Sequence, residues 1–232
     1  AKIFRLLFKS DYFKKKYFGI HTKIFKPLNL FKGVTCRIKH HGFYLKLNIN
    51  DWIQQNIYFL GEYEKSELKA LEQLLNKESV FIDLGANFGL YSLYASMIIG
   101  ENGKVICFEP YLENFKKISE NISFNNLSRI EANKIAIGQE EKVINLYYNE
   151  NENNLGMVSA NKTESCLKMD EVKMVSLDFF MKNKSVNQID LIKIDIEGYE
   201  YQALLGMKNI LSEYYPTLLI EIIDNNGSIN FD

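Results

Sequence analysis

The chain has 232 residues, 47% of them hydrophobic and 25% charged, with a formal net charge of −1, which suits the core of one α/β domain with a modest extension. It contains no run of 18 apolar residues and no signal-peptide pattern, so neither a membrane span nor export is indicated. Cys36, Cys107 and Cys166 form no CxxC pair and read as reduced structural residues of a cytosol-like compartment.

Charge is unevenly distributed: residues 1–40 carry 11 Lys or Arg against one Asp, and the remainder carries 17 against 28 acidic residues. The opening segment AKIFRLLFKSDYFKKKYFGIHTKIFKPLNLF interleaves lysines with Phe, Tyr, Leu and Ile. Three readings accommodate it: an amphipathic helix packed on the domain, a surface that meets anionic lipid or glycan, or a nucleic-acid contact. Nucleic acid ranks last, because no recognised module is present and the rest of the chain is acidic. Next, Phe43, Leu45 and Leu47 alternate with Tyr44 and Lys46 over 42–48, predicting a strand that pairs with 34–39 across a His40-His41-Gly42 turn. Leu68, Leu71, Leu74 and Leu75 have helical spacing within 64–75, closed by Asn76 and Lys77.

The segment VFIDLGANFG, residues 80–89, follows. Val80, Phe81 and Ile82 have the composition of a buried parallel strand, and Leu90, Leu93, Tyr94, Met97 and Ile98 repeat at helical spacing, so Gly85 and Gly89 fall on a strand-to-helix turn. Such a turn lets backbone approach a ligand and offers free N–H groups at the helix start; a tight βα turn with packing glycines is the alternative. A second buried run, 105–108, ends at Glu109 and Pro110. An acidic residue about 20 positions beyond the glycine turn is placed to accept from ribose hydroxyls. A dinucleotide site usually carries three glycines in GxGxxG, whereas here the turn reads GANFG with Asp83 ahead of it, facing a cationic or amino group. That pattern favours S-adenosylmethionine over NAD.

Further along, 111–124 predicts a helix, 129–137 the third strand, 142–149 an additional strand, and the Asn-rich stretch 149–156 a loop beside the site. DLIKIDIEGYE, residues 190–200, brings Asp195 to the carboxyl end of another buried strand, where open α/β sheets bind ligands. Glu197, Gly198 and Glu200 follow on the same rim, Glu200 suiting a helix N-terminus through its dipole. Lys193 inside that strand needs a carboxylate, for which Glu221, after the apolar run 217–220, is the expected partner.

The blocks DLGANFGLYSLYAS, GKVICFEPYLENFKKISENISFNN and DLIKIDIEGYE, in that order, together with GEYE at 61–64, NLGMVS at 154–159 and VSLDFF at 175–180, resemble FkbM-family S-adenosylmethionine-dependent methyltransferases over residues 61–221. The resemblance implies a doubly wound, Rossmann-like, mostly parallel sheet of the class I methyltransferase type over 79–232. Residues 1–78 are expected to form a basic helix and hairpin cap on the acceptor side. It also implies O-methylation of a hydroxyl on a sugar or natural-product scaffold. Our reading is a cytoplasmic enzyme, working there or at the inner face of the membrane, that methylates a sugar in a capsule or lipopolysaccharide. The alternatives are a lipid-linked or secondary-metabolite acceptor and a non-catalytic adaptor. The expected partner is a small-molecule or glycan acceptor, without nucleic acid, and with a peripheral membrane contact through the basic segment.

Asp83, Gly85, Ala86, Asn87 and Gly89 are expected at the methionine end of S-adenosylmethionine, Glu109 and Pro110 at the ribose, and Asn133 and Ala136 at the adenine, with Asp195 also adjoining the cofactor. Tyr63, Glu64, Asn154 and Glu221 are expected on the acceptor. The only histidines, His21, His40 and His41, precede the cofactor segment, which leaves Asp195, Glu197 and Lys193 as the catalytic candidates. An oxygen-ligated Mg²⁺ site from Asp195 and Glu221, with Asp224 and Asn225, is the alternative to metal-free chemistry. The family pattern has a His two positions beyond the Glu matching Glu221, where this chain has Ile223, so a His-dependent mechanism does not carry over.

Overall fold

The computed structural model describes residues 1–149 and 166–222. The amino-terminal part consists of helices α1 (Lys2–Leu7) and α2 (Asp11–Ile20), a π-helical turn over His21–Phe25, the hairpin β1 (Thr35–His40) and β2 (Phe43–Asn48), and helices α3 (Trp52–Leu60) and α4 (Lys65–Leu74). His41 and Gly42 both have positive φ, 44° and 93°, which gives the hairpin the right-handed twist a two-residue connection requires. The basic segment is packed on α3. Phe8, Tyr17, Phe25 and Phe59 meet mostly edge-to-face, and Tyr17 and His21 both address Gln55 Oε1, at 2.9 and 2.6 Å. The helix α3 had no counterpart in the sequence reading, because its buried Gln54, Gln55 and Asn56 interrupt the apolar pattern.

The cofactor-like segment builds a five-stranded parallel sheet in the order β10 (Thr217–Ile220), β9 (Leu191–Ile194), β3 (Val80–Leu84), β4 (Lys104–Phe108), β5 (Ile130–Asn133). The chain fills one side first, β3 to β5, and then returns to the other side of β3. The gap between the carboxyl ends of β3 and β9 is therefore the topological switch point, where doubly wound sheets bind ligands. Side chains alternate between two covered faces, as expected for a buried parallel sheet. Phe81, Val105, Cys107 and Leu191 join a core with α5 (Leu90–Ile98), the hairpin and the aromatic cluster. Ile82, Leu84, Ile106, Phe108, Ile192 and Ile194 pack on the opposite side with residues of α7 (Leu177–Met181), α8 (Glu200–Leu205) and α9 (Lys208–Tyr214). Helix α6 (Leu112–Phe124) connects β4 to β5.

The expected third strand over 129–137 is two strands. Register with β4 ends at Asn133, and β6 (Ala136–Ile137) joins a separate three-stranded sheet, order β6-β8-β7, with β7 (Lys142–Asn149) and β8 (Cys166–Val175). An apolar run cannot reveal this break, since both pieces have strand composition. The expected loop at 149–156 lies, apart from Asn149, outside the described residues. Among the described residues no helix is long and apolar enough to cross a membrane.

Candidate active site

Period-two alternation puts Asp83 and Lys193 on one face of the sheet, and they are register partners across β3 and β9. Asp83 is fully buried. Its Oδ2 accepts from Ser92 Oγ at 2.6 Å, while Oδ1 has no hydrogen-bond partner and lies 3.9 Å from Lys193 Nζ. Burial pushes the Asp83 carboxyl above the ordinary carboxylate range, against the pull of Lys193 and Ser92. Lys193 is 5% exposed; it donates to Asp195 Oδ2 at 2.8 Å and its ammonium sits 4.6 Å from the Tyr91 ring centroid. The expected Lys193–Glu221 pair is thus replaced by Lys193–Asp195, because strand alternation brings residues two apart to the same face.

Glu221 instead meets Asp195 directly. Contact with the Asp195 carboxyl, followed by burial, raises Glu221 to about 8. Burial would also raise Asp195, but the Lys193 charge and the hydrogen bonds from Glu221 and Lys193 outweigh it and hold Asp195 below its ordinary value. At neutral pH the two carboxyls share one proton, carried by Glu221. They line a cleft of about 190 Å³ with Glu64, Glu67, Tyr91 and Lys193. Glu64 accepts from the Tyr91 hydroxyl at 2.5 Å and bonds Tyr63, whose hydroxyl is pushed upward by burial and then by Glu64. Two of the four expected acceptor residues, Glu64 and Glu221, therefore line one cleft, with Tyr63 bonded to Glu64; Asn154 lies outside the described residues, as do Ile223, Asp224 and Asn225.

The turn after β3 is locked by Glu109. Its Oε2 accepts from the Asn87 N–H at 2.7 Å and its Oε1 from the Tyr111 N–H at 2.9 Å, holding Asn87 at φ 51°. Burial raises the Glu109 carboxyl to about 7, opposed by those two hydrogen bonds. Asn133 accepts the Glu109 N–H at its own carbonyl, 3.1 Å away, so the ends of β4 and β5 adjoin, with Pro110 between Glu109 and Tyr111. Ala136 is buried beside Tyr111, Leu146, Val172 and Met174. Gly85 has φ 81°, and a Cβ there would lie 1.8 Å from the Asp195 carbonyl oxygen. At Gly89, φ 95°, a Cβ would lie 2.6 Å from Ile118. The close approach at both glycines is thus protein on protein, which is the packing alternative for this turn. Ala86 donates its N–H to the Phe108 carbonyl at 2.9 Å.

Glu200 Oε1 accepts from the N–H groups of Ile196 and Gly198, at 3.1 and 3.0 Å, and closes the turn in which Glu197 has φ 52°. Glu197 is half-buried and its charge adds to the upward push on Glu221. Sequence reasoning missed Ser92, Tyr91 and Glu67. The first two were visible as hydroxyls in the otherwise apolar start of α5, one helical turn from the glycines. Among the described residues no group of three or more His, Cys, Asp or Glu is arranged to hold a metal ion.

The chain is similar to several known proteins. The chain is 23% identical over 168 residues to Methyltransferase 1 of Beauveria bassiana, covering 65% of this chain and 67% of that one. It is 20% identical over 213 residues to the AMB antimetabolite synthetase AmbE of Pseudomonas aeruginosa, covering 78% of this chain and a tenth of that one. A putative rRNA-methylase structure from Clostridium thermocellum aligns with TM-score 0.41 and 9% identity, covering 64% of this chain and 61% of that one. The family model of the methyltransferase FkbM domain matches residues 83–232, a span that includes the switch-point crevice, the Glu109 turn and the Asp195–Glu221 pair, and the chain belongs to the FkbM family of methyltransferases.

Proposed function

We propose that the chain transfers the methyl group of S-adenosylmethionine to a sugar hydroxyl in the biosynthesis of a cell-surface glycan. The observation that carries this reading is the Asp195–Glu221 carboxyl pair at the carboxyl ends of β9 and β10, in one cleft with Glu64, Tyr91 and Lys193. The residues present fit the cofactor on two counts. Asp83 Oδ1 is a buried acceptor without a donor, suited to the ammonium of the methionine end. Glu109 keeps a lone pair on each oxygen after serving Asn87 and Tyr111, enough for two ribose hydroxyls. Asp83, Ala86 and Asn87, on the turn shaped by Gly85 and Gly89, would hold the methionine end, Glu109 and Pro110 the ribose, and Asn133 and Ala136 the adenine. When bound, S-adenosylmethionine supplies an electrophilic methyl group.

The remaining work falls to the chain's own side chains. Lys193 keeps Asp195 ionised, so Asp195 accepts a hydrogen bond from the acceptor hydroxyl and orients it. Glu221 holds its proton up to about pH 8 and releases it above, which makes the pair a competent proton acceptor there. Glu197 adds negative charge to the pair. Glu64 and Tyr63, from the amino-terminal part, face the acceptor, with Asn154 and Glu221 as further contacts. A cleft rimmed by Glu64, Glu67, Asp195 and Glu221 favours a neutral polyhydroxylated acceptor and repels phosphate or carboxylate. Metal-free chemistry is preferred, with Mg²⁺ on Asp195 and Glu221 as the alternative.

The similarity to AmbE, named an antimetabolite synthetase, favours a second reading with a natural-product acceptor. The test is methyl-labelled S-adenosylmethionine with a panel of glycosides and hydroxylated natural products. Label in an O-methyl sugar supports the first reading, label only in natural products the second, and label in neither supports a non-catalytic adaptor. In the Asp195→Asn variant, turnover should fall by about two orders of magnitude while S-adenosylhomocysteine affinity persists.

A further inference from the structure

Away from the methyl-transfer cleft, a groove of about 740 Å³ opens beside α1, lined by Lys2, Arg5, Leu6, Lys9, Arg37 and Tyr58 among others, none of them acidic. Arg5 stacks over the Tyr58 ring at 4.8 Å and Arg37 over the Phe124 ring at 4.3 Å. Among the described residues no carboxylate lies within ion-pair distance of these four cations, whereas Lys46 pairs with Glu120 and Lys104 with Glu131. Like charges gathered in one concavity raise the local concentration of an anion that completes them.

A second feature adjoins the first. Ile3, Leu6 and Leu7 stand at i, i+3 and i+4 on α1, forming one stripe, and are 74%, 65% and 40% exposed. Leu6 belongs to both the stripe and the groove. Exposed aliphatics flanked by unpaired cations are the composition of an interfacial helix.

We propose that α1 and this groove dock the protein on an anionic membrane surface, the groove taking lipid phosphate through Lys2, Arg5, Lys9 and Arg37 while Ile3, Leu6 and Leu7 enter the headgroup–acyl boundary. A nucleic-acid backbone also offers phosphates but makes no use of the aliphatic stripe. The aromatic ring in the groove, Tyr58, is buried under Arg5 and offers no stacking platform for a base. The inference holds for any acceptor.

The test is flotation of the full chain with vesicles of phosphatidylcholine alone and of phosphatidylcholine with one-third phosphatidylglycerol. Binding is expected only to the anionic vesicles, weakening with added salt. Arg5→Gln combined with Arg37→Gln should weaken it about 25-fold, at about fivefold per basic residue near the surface. Lys2→Gln with Lys9→Gln, at exposed positions where unfolding is not a concern, should do the same. Ile3→Ser with Leu6→Ser should abolish the binding that survives high salt. Equal binding to both vesicle types overturns the proposal, as does anionic binding indifferent to all three double variants. It is also overturned if a single-stranded RNA binds as tightly as the vesicles and is released by the same basic substitutions.

Discussion

Replacing Lys193 by Met removes the buried ammonium while keeping a side chain of similar length against Tyr91, and so isolates the charge at the switch point. Asp83 is fully buried and, once Lys193 is gone, retains Ser92 as its hydrogen-bond donor. It would then fold as the neutral acid. Protonating a carboxyl of ordinary pKa about 3.9 costs about 4 kcal/mol at pH 7, which is the ceiling for Asp83 alone, and burial already imposes part of it in the parent. Loss of the charge-assisted bond to Asp195 sets a floor of about 1.5–3 kcal/mol. The expected destabilisation at pH 7 is therefore about 2–4 kcal/mol, or roughly 4–16 °C in Tm. The sign with pH follows from Asp83: burial already raises its folded pKa in the parent and loss of Lys193 raises it further, so stability present below about pH 4 is lost as pH rises, and more is lost in the variant. At pH 5 the protonation cost falls to about 1.5 kcal/mol, and the gap between variant and parent should narrow. Urea unfolding of both proteins at pH 7 and pH 5 measures this. A loss below about 1 kcal/mol at pH 7, or an equal loss at both pH values, refutes the reasoning.

Two other variants probe the turn and the carboxyl pair. Gly85→Ala combines a left-handed backbone cost of about 1–2 kcal/mol with a Cβ 1.8 Å from the Asp195 carbonyl. Gly61, also left-handed at φ 78° but with open space around it, should lose only the backbone cost as Gly61→Ala; equal Tm losses in the two variants would contradict the close approach of the strand ends. Because contact with Asp195 raises Glu221 to about 8, kcat/KM should climb between pH 7 and 9, and Glu221→Gln should remove that limb; a flat parent profile would contradict the shared proton.

The sheet was legible because its strands are short, continuous apolar runs ending in charged residues, as at Val80–Asp83 and Leu191–Asp195. The carboxylates that matter could be located for the same reason, since a charge at the end of a buried run has few places to go. What the sequence could not reveal was pairing. Lys193 has two carboxylate neighbours, Asp83 and Asp195, and only strand order decides that Glu221 goes to Asp195 instead. The glycines at 85 and 89 pointed to a close approach without saying of what, and the structure answers with Asp195 and Ile118. The break between β5 and β6 depends on a second sheet whose β8 strand is distant in sequence.

The central claim is that the switch-point crevice binds S-adenosylmethionine with the ribose on Glu109. Calorimetric titration with S-adenosylhomocysteine of the parent chain and of Glu109→Ala tests it most directly. The account predicts one-site binding by the parent at pH 8, above the value of about 7 to which burial raises Glu109, weakened at least tenfold in the variant by loss of charge-assisted acceptors worth about 1.5–3 kcal/mol each. No binding by the parent, or undiminished affinity in a folded Glu109→Ala protein, would contradict it.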